Sequence, residues 1–293
     1  MNNLYFFEYF FSPNQRLFWL YILSSLLIAA IYLMMNPEEK KINISRDLWL
    51  HPSATLDYRF FIVSFFIKMW LLLPLLIGVN EVMFFTQQFL TDTFGFHVVK
   101  GVSYTEIMVI FTITLFVVSD FTRYWLHRFM HTIPLLWEFH KVHHSAKVLT
   151  PITFYRVHPV ENILFGLRFS LTIGLVSGVF LYFFGGLLSL IDVLGVNIIV
   201  FIYNIMGSNL RHSHIKLKYF RWIEKIFISP FQHQIHHSTT FYNYNFGGTL
   251  ALWDLWFGTL KHSSEIGEMQ FGLNGENQHK SVLDLLLLRT KND

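Results

Sequence analysis

Eleven of the chain's 15 histidines fall between positions 127 and 237, a stretch to which an even spread would assign between five and six. They come as His127 and His131, then His140, His143 and His144, then His158, then His212 and His214, then His233, His236 and His237. Spacings of three and four put side chains on one helix face about one turn apart, so each group can turn two or three imidazoles to a common point. Neutral imidazole is the commonest ligand of iron, zinc and copper, and one first-row ion takes about four to six ligands. Eight or nine histidines are too many for one ion and suit two. Zinc hydrolysis would call for His-Glu-x-x-His with the glutamate as general base, but Arg128 follows His127 and Lys141 follows His140. The chain has no cysteine, which excludes disulfides, iron–sulfur clusters, thiolate-ligated haem and cysteine-held zinc. Two irons that activate O2 are the chemistry this pattern suits.

The elements that must gather these groups are apolar. Of 293 residues 53% are hydrophobic and 14% charged, against about 25% charged in an average soluble protein. With a mean hydropathy of +0.41 this excludes an ordinary soluble globule and a disordered chain alike. A net charge of +3 is too small to argue for nucleic acid. Residues 17–35 form an uncharged run long enough for a hydrocarbon core of about 30 Å. Further spans are expected near 58–78, interrupted by Lys68 and Pro74, and near 106–126. Ile163–Phe184 and Leu187–Met206 complete five, joined at Gly185 and Gly186, with a long helix pair that never fully crosses as the alternative. The lysine and arginine bias puts the N-terminus outside and the loops 36–59, 127–162 and 207–293 in the cytoplasm, with 79–105 an outer loop. The expected fold is all-α: a multi-pass membrane protein whose cytoplasm-facing helical cap holds a dimetal histidine cluster.

The motif residues extend beyond the histidines. Tyr124-Trp125-Leu126-His127-Arg128, Leu136-Trp137 through His144-Ser145, Asn245-Phe246-Gly247-Gly248 and Trp253-Asp254 through Gly258-Thr259 stand around the three boxes. With HxxxH, HxxHH and a second HxxHH in that order, the chain resembles the sterol desaturase / fatty acid hydroxylase superfamily of integral-membrane diiron oxygenases. Phe246 stands where the family usually has Tyr, and Leu255 where Arg is common. Arg156-Val157-His158-Pro159 with Glu161 is similar to an FHPxE segment of the sterol desaturase branch, tilting the substrate toward sterol-like or isoprenoid lipids. The likeness implies a catalytic domain over 104–262, preceded by membrane segments over 1–103 and followed by a tail over 263–293. It implies His127, His131, His140, His143, His144, His212, His233, His236 and His237 as metal ligands. His214 and His158 are further candidates, His158 with a helix-capping role as its alternative. Asp120, Glu138, Glu161, Asn245 and Asp254 are candidates to hydrogen-bond the second imidazole nitrogen, or to serve as caps or surface residues. Trp253, Trp256 and Phe257 are expected as interface anchors, and His51, His97, His262 and His279 at the surface or an interface.

The implied activity is O2-dependent hydroxylation or desaturation of a C–H position of a sterol-like, isoprenoid or fatty acyl lipid. It needs two iron ions and an external electron donor (a ferredoxin, cytochrome or reductase), because the chain carries no flavin-binding or haem-binding motif. The expected location is a plasma, inner or endoplasmic reticulum membrane with the catalytic face cytoplasmic. A histidine-rich metal transporter predicts irregular spacing within spans or a flexible loop, and a non-catalytic lipid-binding relative predicts broken boxes. The regular, complete boxes at span ends favour the enzyme.

Overall fold

The computed structural model describes residues 8–72, 77–186, 188–273 and 279–289. Along them run α1 (Glu8–Phe11), α2 (Trp19–Met35), α3 (Pro37–Asn43), α4 (Arg46–Trp49), α5 (Pro52–Ile67), α6 (Val79–Phe94), α7 (Tyr104–Thr132), α8 (Pro134–His144) and α9 (Pro159–Phe184). A two-residue hairpin, β1 (Asp192–Val193) against β2 (Val196–Asn197), is followed by α10 (Ile198–Ile205), α11 (Pro230–His236), α12 (Leu252–Trp256) and α13 (Val282–Leu287). The described fold is otherwise all-α.

Helices α7 and α9 are the frame. Ser103 opens α7 with a reciprocal cap: its hydroxyl accepts from the Glu106 backbone N–H, and the Glu106 carboxylate accepts from the Ser103 N–H at 2.8 Å. At about 1.5 Å per residue, 29 residues reach roughly 43 Å and deliver His127 and His131 at the far end. Helix α9 starts beside them, with His158 as N-cap and Pro159 in the first turn, and runs back antiparallel for 26 residues. The Arg168 guanidinium donates to the Ser119 carbonyl at 2.8 Å, and the Thr122 and Thr172 hydroxyls pair at 3.1 Å, so the two helices are tied by polar groups as well as apolar ones. These two are the described helices long and apolar enough to cross a membrane; α2 is apolar but shorter, at 17 residues. Leu26, Phe85 and Leu175 on α2, α6 and α9 face outward, a surface that water would penalise.

Three expectations about spans are corrected. The helix that runs alongside α9 is α6, which lies where an outer loop was expected over 79–105. Val82 meets Gly174 and Thr86 meets Gly178, because only glycine leaves room there. The expected span near 58–78 is instead α5 with a π-helical end at Lys68–Leu72, and Pro74 lies outside the described residues. The fifth span is a hairpin and an eight-residue helix, with Leu187 outside the described residues. A long apolar run does not distinguish a spanning helix from a re-entrant one when its neighbours can cover it. The reversal at Gly185, at φ +64°, does occur. The returning limb then follows α7: the Ile191 N–H donates to the Thr112 hydroxyl, and Ile199 and Val200 pack against the cluster of Phe116 and Tyr124. The segment before α2 also lies beside the histidine end, where Arg16 donates to Ser208 and its carbonyl accepts from Asn209 at 2.8 Å.

The α6–α9 contact is testable. A Cβ at Gly178 would stand 2.6 Å from the Met83 carbonyl oxygen, whereas one at Gly186 meets nothing within 4 Å. Gly178→Ala should therefore cost about 1–3 kcal/mol, read as a lower thermal midpoint of detergent-solubilised protein, with Gly186→Ala unchanged; equal midpoints would contradict the packing.

Candidate metal centre

The nine histidines of the three boxes and His212 converge in two groups. His127, His131, His140, His144 and His236 form one; His143, His212, His233 and His237 form the other. Within each group the facing ring nitrogens all lie within 4.8 Å of one another. Helical geometry explains the division. His140 and His144, four apart on α8, share the first group while His143 turns to the second. At the end of α11 the pattern is mirrored, with His233 and His237 in the second group and His236 in the first. The groups abut, since the His144 and His237 rings stack at 4.6 Å.

Hydrogen bonds on the outer nitrogens decide the tautomers. His127 Nδ1 lies 2.8 Å from the Phe246 carbonyl, His236 Nδ1 2.8 Å from the Tyr244 carbonyl, and His143 Nδ1 3.2 Å from the Arg156 carbonyl. His140 Nδ1 lies 3.0 Å from Glu161 Oε1. A carbonyl only accepts, so Nδ1 of His127, His236 and His143 carries the proton and their Nε2 presents a bare lone pair; His140 does the same when Glu161 is ionised. Yet His127 Nε2 stands 3.1 Å from His140 Nε2, and His212 Nε2 stands 3.0 Å from His237 Nε2 and 3.3 Å from His143 Nε2. At the His127–His140 pair, where both Nδ1 atoms are claimed by acceptors, two bare acceptors face each other and cannot hydrogen-bond. In addition, both ring nitrogens of His144 and Nε2 of His236 are buried without a partner. A donor set of this kind fits cations.

Protons are poor candidates for that role. Burial pushes His140 down to about 3 and His143 down to about 4, and it holds His144, His212, His233, His236 and His237 well below the ordinary histidine range, helped by repulsion among them. Near neutral pH the site is a set of uncharged imidazoles, the form that ligates metal.

The remaining sequence candidates divide by what they touch. Glu161 reaches an imidazole directly, through His140. Asp254 acts one bond further out: it accepts from the Phe246 and Gly247 N–H groups, both at 2.8 Å, and so fixes the carbonyl that holds His127. Asp120 accepts from the Thr249 and Leu250 N–H groups, both at 2.9 Å, and from Trp253 Nε1 at 3.0 Å. Asn245, at φ +56°, bonds the Gln232 carbonyl and both backbone groups of Lys261. Neither touches an imidazole. Glu138 is exposed and pairs with Lys141, so it does not support the centre. His158 caps α9, accepting from the Val160 N–H, and His214 accepts from the Leu149 N–H; both stand apart from the two groups. Trp253 is buried rather than an interface anchor, whereas Trp256 is exposed. His262 and His279 are likewise buried, beside Glu224 and against the Arg289 carbonyl.

Sequence reasoning missed the largest of the fully buried side chains. Arg156, 1% exposed, pairs with Asp57 on α5 and donates to Ser145 Oγ at 2.9 Å and the Ser53 carbonyl at 2.8 Å. This locks α5 against the C-terminus of α8 while the Arg156 carbonyl holds His143. Its place two residues before His158 in a motif segment was a signal; Asp57, 99 positions away, carried none.

The fatty acid hydroxylase family profile matches residues 112–259, from the middle of α7 to the threonine that bonds Asp254. This chain belongs to the fatty acid hydroxylase / sterol desaturase superfamily. It is similar to an alkylglycerol monooxygenase of Danio rerio, 32% identical over 50% of this chain and 29% of the relative. An ornithine lipid hydroxylase of Rhizobium tropici is 28% identical over 55% of the chain and 44% of its own length. A lathosterol oxidase of Rattus norvegicus is 27% identical over 54% and 47%. The matches thus span less than half of each relative. No solved structure matches the chain.

Burial lowers His140 to about 3 and His143 to about 4 in the fold, and it holds His144, His212, His233, His236 and His237 well below the ordinary 6.5 of the unfolded chain. The metal-stripped protein should therefore be most stable above pH 6.5. Its stability should fall steadily as the pH drops toward 4, since the unfolded chain gains protons that the folded site refuses. Denaturant midpoints of chelator-treated protein between pH 8 and pH 4 measure this; a flat profile would exclude the neutral cluster.

Proposed function

We propose that this chain is an O2-dependent diiron oxidoreductase that hydroxylates or desaturates a C–H position of a lipid. The observation that carries the proposal is the convergence of nine imidazoles in two abutting groups with their ring nitrogens facing, the Nε2 lone pairs of His127 and His140 set against each other. His127, His131, His140, His144 and His236 would hold one iron, and His143, His212, His233 and His237 the other. The iron pair, when bound, supplies the redox chemistry that activates O2 and breaks an unactivated C–H bond. The chain's own residues orient and insulate. Glu161 and the carbonyls of Phe246, Tyr244 and Arg156 favour the outer proton on Nδ1 of His140, His127, His236 and His143, leaving the Nε2 of these four free to ligate. Burial of the rings excludes water, which would divert reactive oxygen from the substrate.

Substrate and electrons come from outside the chain: a lipid from the surrounding bilayer, and reducing equivalents from a ferredoxin, cytochrome or reductase. The basic run of Lys216, Lys218, Arg221 and Lys225 suits an acidic donor on the cytoplasmic face. The alkylglycerol, ornithine lipid and sterol relatives support a lipid substrate in general. A metal transporter fits poorly, because imidazoles pinned by hydrogen bonds on rigid helices would not release a cargo ion readily.

The test counts metal and product together. Full-length protein purified anaerobically with added ferrous iron should carry two irons per chain by elemental analysis. Its expression should add an oxygenated or newly unsaturated species to the host lipids by mass spectrometry. His143→Ala and His236→Ala should each lose at least one iron and roughly 100-fold or more of the product. One iron or none in the wild-type protein would refute the dimetal reading.

A further inference from the structure

A cavity of about 460 Å3 opens directly beside the histidines, with His127, His140, His143, His212 and His233 in its wall. That volume lies within the range of about 300–1,000 Å3 typical of small-molecule sites. Part of the lining is aromatic, from Phe61, Phe65, Phe154, Phe165 and Phe169, as expected for an acyl or polyisoprenoid chain. The rest is strongly cationic. Arg16, Lys68, Arg123, Arg168 and Arg211 all line the cavity, and among the described residues Glu161 is the one carboxylate there.

Arg211 is buried and the other four are half-buried, yet these cations lack the anionic partners that such sites normally supply. None of the five forms a salt bridge among the described residues. Arg16 is spent on the Ser208 hydroxyl and lies 5.3 Å from the Phe154 ring centre. Lys68 Nζ sits 5.9 Å from the Tyr9 ring centre. Arg168 and Arg211 donate to hydroxyls and carbonyls, and each leaves its Nε buried without an acceptor. Arg123 makes no hydrogen bond to any described residue, although Asp120 and Glu161 lie within electrostatic reach. Asp120 is already committed to three N–H donors and Glu161 to His140. Arg16, Arg123 and Arg211 are close enough to repel one another. Five different parts of the chain bring these charges together: the segment before α2, the end of α5, α7, α9, and the turn that ends at His212.

We propose that this cavity binds a lipid by an anionic headgroup, a phosphate or carboxylate gripped by Arg16, Lys68 and Arg123, with the hydrocarbon chain along the aromatic wall. The inference rests on the cavity being the substrate site of the proposed oxygenase. It narrows the substrate class from any lipid to an anionic amphiphile. Neutral sterols would leave the cations unpaired and are disfavoured.

Binding is measured on the full chain in a neutral detergent, without turnover, using oleyl phosphate, oleyl alcohol and inorganic phosphate as probes. Oleyl phosphate should bind at least tenfold more tightly than oleyl alcohol. This preference should collapse in the Arg16→Gln/Lys68→Gln double variant and persist in Arg16→Lys, which keeps the charge. Iron content, measured on the same preparations, should be unchanged in all three proteins, so a failure of the headgroup assignment is separable from a failure of the dimetal reading. Equal affinity for the phosphate and the alcohol, or a preference that survives the double variant, would overturn the proposal. Inorganic phosphate binding as tightly as oleyl phosphate would overturn the lipid assignment in favour of the free anion.

Discussion

Imidazole nitrogens that face one another across about 3 Å are the constraint on which this structure turns. Left alone, each buried acceptor without a donor costs on the order of 1–3 kcal/mol, and the centre holds several. Relaxation would be simple if the rings could turn, because a flipped imidazole could reach another donor or water. The protein prevents this from outside the site, by giving the opposite nitrogen of four rings an acceptor that nothing else claims. The geometry suits cations held between the rings.

Holding those outer acceptors accounts for much of the surrounding fold. The carbonyls of Tyr244 and Phe246 belong to an irregular loop, which by itself would not hold a ring to a few tenths of an ångström. Asp254 and Asp120 each bind consecutive N–H groups of that loop, and Gly247 and Gly248 let it pass where a Cβ would strike the Leu250 carbonyl or Asp120. On the other side, Arg156 joins α5 to α8 through Asp57 and Ser145. Buried carboxylates thus serve the centre at one remove, as anchors of backbone, while only Glu161 meets a ring. This division explains why so carboxylate-poor a chain can still organise a large polar cluster.

The membrane-facing half is simpler and sets the distance scale. Helices α7 and α9 carry the chain to the histidines and away again, and α6 closes on α9 where glycines permit. The segment before α2 and the end of α5 then fold beside the centre, so that Arg16 and Lys68 stand in the same cavity wall as His127 and His212. The charge of the cavity comes from this return of N-terminal residues to the histidine end.

How much of this was legible in the sequence depends on the range of the interaction. The boxes, their count and their pairing across helix turns follow from spacing, since i, i+3 and i, i+4 neighbours are local consequences of the helix. All nine histidines that the family resemblance implied arrive in the two groups, and of the five candidates to bond an imidazole Glu161 does so, at His140. The all-α class and the two long helices were legible from apolar runs for the same reason. Which runs cross and which fold back was not, because hydropathy does not record what a segment packs against; α6 and the limb after Gly185 were misread on that account. Nor could local pattern give the roles of Asp120, Asn245 and Asp254, the burial of Trp253 and His279, or the pairing of Asp57 with Arg156. Those belong to contacts between residues far apart in the chain, and only the tertiary fold, by choosing which polar groups share a buried space, decides them.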